Sequence, residues 1–261
     1  MVSTTLLEGF DPLYIFKSKL EFKNWLLSHI DLTFLPPYLP DEKLREFLDK
    51  ANVYGFKRVC IPLTAVSKAR EILSGKSMII ITFISSFHGN RNTPDEKLNA
   101  CSSAMSLGAD EIEFSPDLSL LNDENGFKKE SQDLVDLIRG KQKISKLYLE
   151  IDKLPEELTG VAIKSAGDTN PDYISIAIKL KEEESYDGEN LNISKEWLEK
   201  VNSAIKEGKK ANLKVYGRIS SFNTLLPILY LATKYGWDIQ ALRIGTEFGF
   251  DIIDGMDTSE I

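Results

Sequence analysis

Short apolar runs alternate with amphipathic segments along the whole chain. Runs of strand length lie at residues 30–35, 58–62, 78–84, 111–115, 146–150, 173–178, 212–216 and 241–244. Several, including 78–84 (MIIITFI) and 173–178 (YISIAI), are apolar on both faces. Strands covered on both sides belong to parallel sheets, whereas a meander with one wet face would alternate apolar with polar residues. Between the runs lie helical patterns. Residues 41–54 place Leu44, Phe47, Leu48 and Ala51 on one apolar face at i, i+3, i+4, i+7 spacing. Thr93-Pro94-Asp95-Glu96 has the form of a capping box with Pro at the first helical position, which predicts a helix to about Leu107 and a C-terminal cap at Gly108. Pro155 opens the segment after the fifth strand, Ser194 is a candidate cap for 195–207, and Gly208 and Gly236 stand at expected helix stops.

Eight strands, each followed by a helix, predict a single α/β domain closed as a (β/α)8 TIM barrel over residues 30–261. An open doubly wound sheet is the alternative that the same pattern allows. Residues 1–29, rich in aromatics (Phe10, Tyr14, Phe16, Phe22, Trp25), predict a helical extension packed on the barrel bottom. The acidic stretch 182–184 and the residues after it read as a solvated loop behind the sixth strand.

Composition narrows the function class. The chain has 261 residues, of which 42% are hydrophobic, and a formal net charge of −8. That balance excludes wholesale disorder, and without a basic run it argues against a nucleic-acid partner. No stretch has the length of a membrane span and the N-terminus lacks a signal-peptide pattern, so a cytoplasmic protein with no membrane partner is expected. Cys60 and Cys101 read as buried free thiols. A homo-oligomer is allowed for.

Most catalytic motifs are missing. Two histidines, His29 and His88, cannot build a histidine-rich metal site, and no Cys/His pair has zinc spacing. There is no Walker loop, no G-x-G-x-x-G after a strand and no G-x-S-x-G elbow. No metal or organic cofactor is therefore expected, apart from the hard cation that Asp31, Glu113 or Glu150 could hold through oxygens. What remains is a set of polar residues on strands whose barrel-facing positions are usually branched and apolar. They are Asp31, Thr33, Glu111, Glu113, Lys146, Glu150, Ser175 and Lys214. The two-residue period puts Lys146 with Glu150, and Glu111 with Glu113, on common faces. Some could equally face helices or form a satisfied internal network.

The segments IDLTFL, RVCIP, TFISSFHGN, GADEIEF, KLYLEI, LKVYGRIS and RIGTEFG, in that order, resemble the deoxyribose-phosphate aldolase family. The resemblance implies a (β/α)8 barrel and a Schiff-base aldolase that joins acetaldehyde to glyceraldehyde 3-phosphate without a cofactor. It also implies roles. Lys214 matches the family's second active-site lysine, Glu113 its proton-handling aspartate, Asp31 its first-strand aspartate, and Cys60 a frequent second-strand cysteine. The Schiff-base lysine position is occupied by Ser175, and a hydroxyl cannot form an iminium. In the family's phosphate turns, Gly217-Arg218 stands for a Gly-Gly pair and Gly245-Thr246-Glu247 for a G-x-S turn. Arg218 could pair with phosphate, whereas Glu247 would repel it unless turned outward.

Catalytic candidates are thus Lys214, Glu113 and Ser175. Substrate-binding candidates are Asp31, Cys60, Lys146, Gly217, Arg218, Gly245, Thr246 and Glu247. Three functions fit: an aldolase-like carbon–carbon lyase for a small aldehyde or sugar phosphate, with altered Schiff-base chemistry on Lys214 or Lys179; a lyase or isomerase that uses Glu113 as base without an imine; and a binding or regulatory barrel that has lost catalysis.

Overall fold

The structure is a computed structural model, and it describes residues 10–85, 89–177 and 211–258. Eight parallel strands close a barrel in chain order, β1 pairing with β8. They are β1 (Ile30–Thr33), β2 (Arg58–Ile61), β3 (Ile79–Ile84), β4 (Glu111–Phe114), β5 (Ile144–Leu149), β6 (Tyr173–Ala177), β7 (Asn212–Tyr216) and β8 (Arg243–Thr246). The last strand begins two residues later than the apolar run suggests. Ala241 and Leu242 donate back to the Asp238 carbonyl at 3.1 and 2.9 Å, so the chain is still turning there. The open-sheet alternative is excluded.

Helices α1 (Lys19–His29), α2 (Asp41–Tyr54), α3 (Val66–Ile72), α4 (Pro94–Leu107), α5 (Glu124–Gly140), α6 (Glu156–Asp168), α7 (Phe222–Tyr235) and α8 (Gly249–Thr258) surround the barrel. The segment 195–207, its cap Ser194 and Gly208 lie outside the described residues. In α4 the capping box is complete: Thr93 Oγ1 accepts from the Glu96 amide at 3.3 Å, and the Glu96 carboxylate accepts from the Thr93 amide at 2.8 Å. Gly108 and Gly236 end α4 and α7 in left-handed conformations, at φ 106° and 68°, which cost glycine little. Ahead of β1, α1 buries Phe22, Trp25 and Leu26. Phe22 packs on Phe222 of α7, and the Trp25 indole donates to the Ile239 carbonyl at 3.1 Å.

Strand alternation then sorts side chains between two very different environments. Outward positions carry Leu32, Val59, Ile80, Ile112, Leu147, Ile174, Val215 and Ile244, all buried against helices. Inward positions carry most of the charge. Following the register upward, a floor of Arg58, Glu111, Tyr173 and Arg243 comes first. Above it lie Asp31, Ile81, Lys146 and Lys214, then Cys60, Glu113, Ser175 and Gly245, then Thr33, Phe83, Tyr148 and Tyr216 at the C-terminal mouth. Four side chains per level, from alternate strands, is the usual filling of such barrels, but branched apolar residues usually supply it. The hydrophobic core here is the ring between barrel and helices.

Thr93→Ala should lower stability by about 1 kcal/mol, as measured by urea unfolding, because the side-chain acceptor for the Glu96 amide is lost. A change within error would show that the cap adds nothing.

Candidate active site

The inner charges hold one another. Lys146 Nζ lies 2.5 Å from Asp31 Oδ2 and 2.5 Å from Glu111 Oε2. Lys214 Nζ lies 2.6 Å from Glu113 Oε2 and 3.2 Å from the same Asp31 oxygen. Arg58 Nε is 3.5 Å from Glu111 Oε1, which extends the network to the floor. The cations also sit near aromatic faces, Lys146 at 5.4 Å from the Tyr173 ring centre and Lys214 at 5.9 Å from that of Tyr216. Asp31, Lys146 and Lys214 are wholly shielded from solvent.

Proton affinities follow from this geometry. Burial alone would raise the Asp31 carboxyl, but the Lys146 and Lys214 ammoniums override it and hold Asp31 well below the usual carboxylate range. Burial alone would pull Lys214 down, yet Glu113 and Asp31 carry it well above an ordinary lysine. Burial pushes the Cys60 thiol and the Tyr216 phenol up to about 12 each, so both stay protonated. Lys214 is therefore a fixed ammonium. This is the opposite of an imine-forming lysine, whose amine must be free near neutral pH.

Above the network a cavity with about 240 Å³ of empty space opens toward the mouth. Thr33, Leu35, Cys60, Phe83, Glu113, Tyr148 and Tyr216 line it. At the level of the barrel where Cys60 and Glu113 form its wall, the other two inward residues, Ser175 and Gly245, are small. A Cβ on Gly245 would sit 2.6 Å from Lys214 Cε and 2.8 Å from Tyr216 Cδ2, so glycine is what lets both side chains lie across β8. Ser175 neighbours Lys214 in the β6–β7 register and Tyr148 in the β5–β6 register. Its buried Oγ, like Glu113 Oε1 and Asp31 Oδ1, has no hydrogen-bond partner among the described residues. Three buried oxygens without partners so close to one cavity are unusual and call for an explanation.

The sequence candidates thus divide. Cys60 and Glu113 line the cavity, with Ser175 and Gly245 at the same level of the barrel. Asp31, Lys146 and Lys214 form the network beneath, and Lys146 sits deep between Asp31 and Glu111 rather than on the cavity wall. Gly217 and Arg218 follow β7, Thr246 ends β8 and Glu247 follows it. There the Gly217 amide donates to the Gly245 carbonyl at 3.3 Å. The Thr246 hydroxyl donates to the Ile219 carbonyl at 2.8 Å and accepts from the Phe248 amide at 3.1 Å. Arg218 is exposed, its guanidinium 5.9 Å from the Phe248 ring centre, and Glu247 is also exposed. His88 and Lys179 lie outside the described residues. Sequence reasoning missed Phe83, Tyr148 and Tyr216 at the mouth and Arg58, Tyr173 and Arg243 at the floor. The two-residue period counted from Lys146 and Lys214 reaches Tyr148 and Tyr216 directly, so the signal was there.

No family profile matches the chain. Among curated proteins, it is 29% identical over 154 residues to the deoxyribose-phosphate aldolase of Geobacillus sp. (strain WCH70), a match covering 58% of this chain and 68% of that one. It is 24% identical over 239 residues to the deoxyribose-phosphate aldolase of Thermococcus gammatolerans, covering 90% and 98%. Among solved structures, the tetrameric deoxyribose phosphate aldolase of Aeropyrum pernix superimposes with a TM-score of 0.73 at 19% identity, covering 94% of this chain and 95% of that one. At that identity the likeness establishes the fold alone.

Removing the shared acid should unbalance both ammoniums. Asp31→Ala should cost about 3–5 kcal/mol in chemical denaturation, since it leaves two buried cations short of a partner. The acid limb carries a second signature. Because the folded Asp31 pKa lies below the unfolded 3.8, its stabilisation is complete above that value and is lost as the pH falls below it. Asp31→Asn should therefore flatten the stability–pH curve below pH 3.8; an unchanged slope would contradict the pairing.

Proposed function

We propose that the barrel is an aldolase-type carbon–carbon lyase that acts on a small aldehyde or sugar through Glu113 and Lys214. The names of the relatives support the lyase class. The observation that carries the pair is the 2.6 Å contact between Lys214 and Glu113, a residue that lines the cavity and whose second oxygen has no partner among the described residues.

Lys214 works as a cation. An ammonium has three N–H donors, and Glu113 and Asp31 take two, which leaves one for a substrate oxygen. In the cleavage direction, Glu113 removes the proton from a hydroxyl β to the carbonyl. That oxygen becomes the carbonyl of the departing aldehyde as the carbon–carbon bond breaks. The bonding pair passes into the remaining fragment as an enolate, and Lys214 donates to its oxygen. Glu113 then returns the proton to the α-carbon, so protons and electrons balance without an added reagent. A buried, pre-placed ammonium beside a developing oxyanion is the electrostatic arrangement that lowers such barriers. Ser175, unable to form an imine, supplies a hydrogen bond to the substrate.

This reading departs from a surviving Schiff base on Lys214, because two carboxylates keep that amine charged. A binding barrel without catalysis is favoured by one observation, the presence of Ser175 where the resemblance places a nucleophilic lysine.

The test follows α-proton exchange of acetaldehyde in D2O by NMR. Wild type should catalyse exchange, Glu113→Gln should reduce it about 10²–10⁴-fold, and borohydride should leave the intact mass unchanged. A reduced adduct on Lys214 would restore the imine route. No exchange by wild type would favour the binding barrel.

A further inference from the structure

We infer that the cavity selects a short, neutral, unphosphorylated carbonyl compound; the inference rests on the lyase reading for the carbonyl and on the mouth of the barrel for the rest. The mouth level is an aromatic collar. Phe83 meets Tyr148 edge to face at 5.4 Å between ring centres, and Tyr148 meets Tyr216 the same way at 5.9 Å. Their strands, β3, β5 and β7, alternate around the barrel, and β1 completes the level with Thr33. The rings therefore narrow the entrance from three sides.

Size points to a short ligand. Phe83, Tyr148 and Tyr216 stand around a space that Thr33, Cys60 and Glu113 also wall in, which leaves room for a few heavy atoms only. Beneath the collar, Lys214 and Tyr216 lie across Gly245, and Lys214 with its carboxylates closes the space from below.

Charge points to a neutral ligand. Among the described residues that line the cavity, Glu113 is the one charged side chain, and its carboxylate would repel a phosphate. The nearest cation below it, Lys214, is already shared between two carboxylates. At the turns after β7 and β8, the Gly217 and Phe248 amides are spent on Gly245 and Thr246, and exposed Glu247 adds a further negative charge. The oxygens of Glu113 and Ser175 that have no partner among the described residues instead suit a ligand that brings a hydroxyl or a carbonyl.

The experiment measures binding, so it is independent of turnover. Propanal, pentanal, glyceraldehyde 3-phosphate and inorganic phosphate are each titrated by NMR into wild type, Tyr216→Leu, Tyr216→Ala and Arg218→Ala. Wild type should bind propanal at least about tenfold more tightly than pentanal or glyceraldehyde 3-phosphate. Opening the collar by Tyr216→Ala should recover about tenfold for pentanal, and Tyr216→Leu provides the same comparison if the smaller side chain impairs folding. Phosphate should not compete with propanal, and Arg218→Ala should change nothing. Tighter binding of glyceraldehyde 3-phosphate with loss in Arg218→Ala would overturn the inference, as would equal binding of all compounds or none. Propanal binding without α-proton exchange in wild type would sink the lyase reading and leave the selectivity standing. Exchange combined with preferential phosphate-ester binding would do the reverse.

Discussion

Charges placed inside a barrel must neutralise one another, because no solvent reaches them and an unpaired buried ion costs several kcal/mol. Asp31 meets that constraint at the centre: a single oxygen accepts from Lys146 on the opposite side of the barrel and from Lys214 near β8. Glu111 completes the pairing of Lys146, and Glu113 that of Lys214. The pairing sets the conformation of both long side chains, and through Gly245 it sets how closely Lys214 and Tyr216 can cross β8. The cavity, the collar over it and the protonation of Lys214 all depend on this arrangement.

A polar interior changes where the stability of the fold resides. The branched residues that normally fill a barrel lie on its outer face, where Val59, Ile80, Ile112, Leu147, Val215 and Ile244 pack beneath the helices. Burying apolar area there, at roughly 25 cal/mol per Å², provides the main driving force. The interior ion pairs add little by comparison, since their attraction is set against the loss of hydration. What they provide is a defined geometry around the cavity. A second buried pair follows the same rule away from the site: Lys97 of α4 lies 2.6 Å from Glu130 of α5, whose other oxygen accepts from the Asp117 amide at 2.8 Å. It ties two outer helices to the loop after β4.

Much of the fold was legible because its signals are local. The apolar runs, the Thr93–Glu96 box and the glycines at 108 and 236 each follow from short-range chemistry. The site was legible only in part. Residue type and strand period mark Asp31, Glu113, Lys146 and Lys214 as inward polar groups. Which carboxylate pairs with which ammonium depends on how the closed barrel staggers its strands, and no local pattern encodes that. The collar is encoded in part: Tyr148 and Tyr216 lie two residues beyond Lys146 and Lys214 and share their faces, but only closure brings them to one level with Phe83. The spent amides of the β7 and β8 turns likewise appear only in three dimensions, since Gly217 and Gly245 alone suggest an open anion cradle.

The protonation of Lys214 links the structure to the chemistry. If Glu113 and Asp31 hold it as an ammonium, it stabilises negative charge on oxygen; if it loses its proton easily, an imine becomes available and the two carboxylates do not hold the charge. An NMR titration of the Lys214 side-chain signals, assigned by comparison with Lys214→Met, reads this directly. The ammonium should persist beyond pH 10.5, the ordinary lysine value. A midpoint near pH 7–8, the range of lysines tuned for acid–base catalysis, would contradict the account.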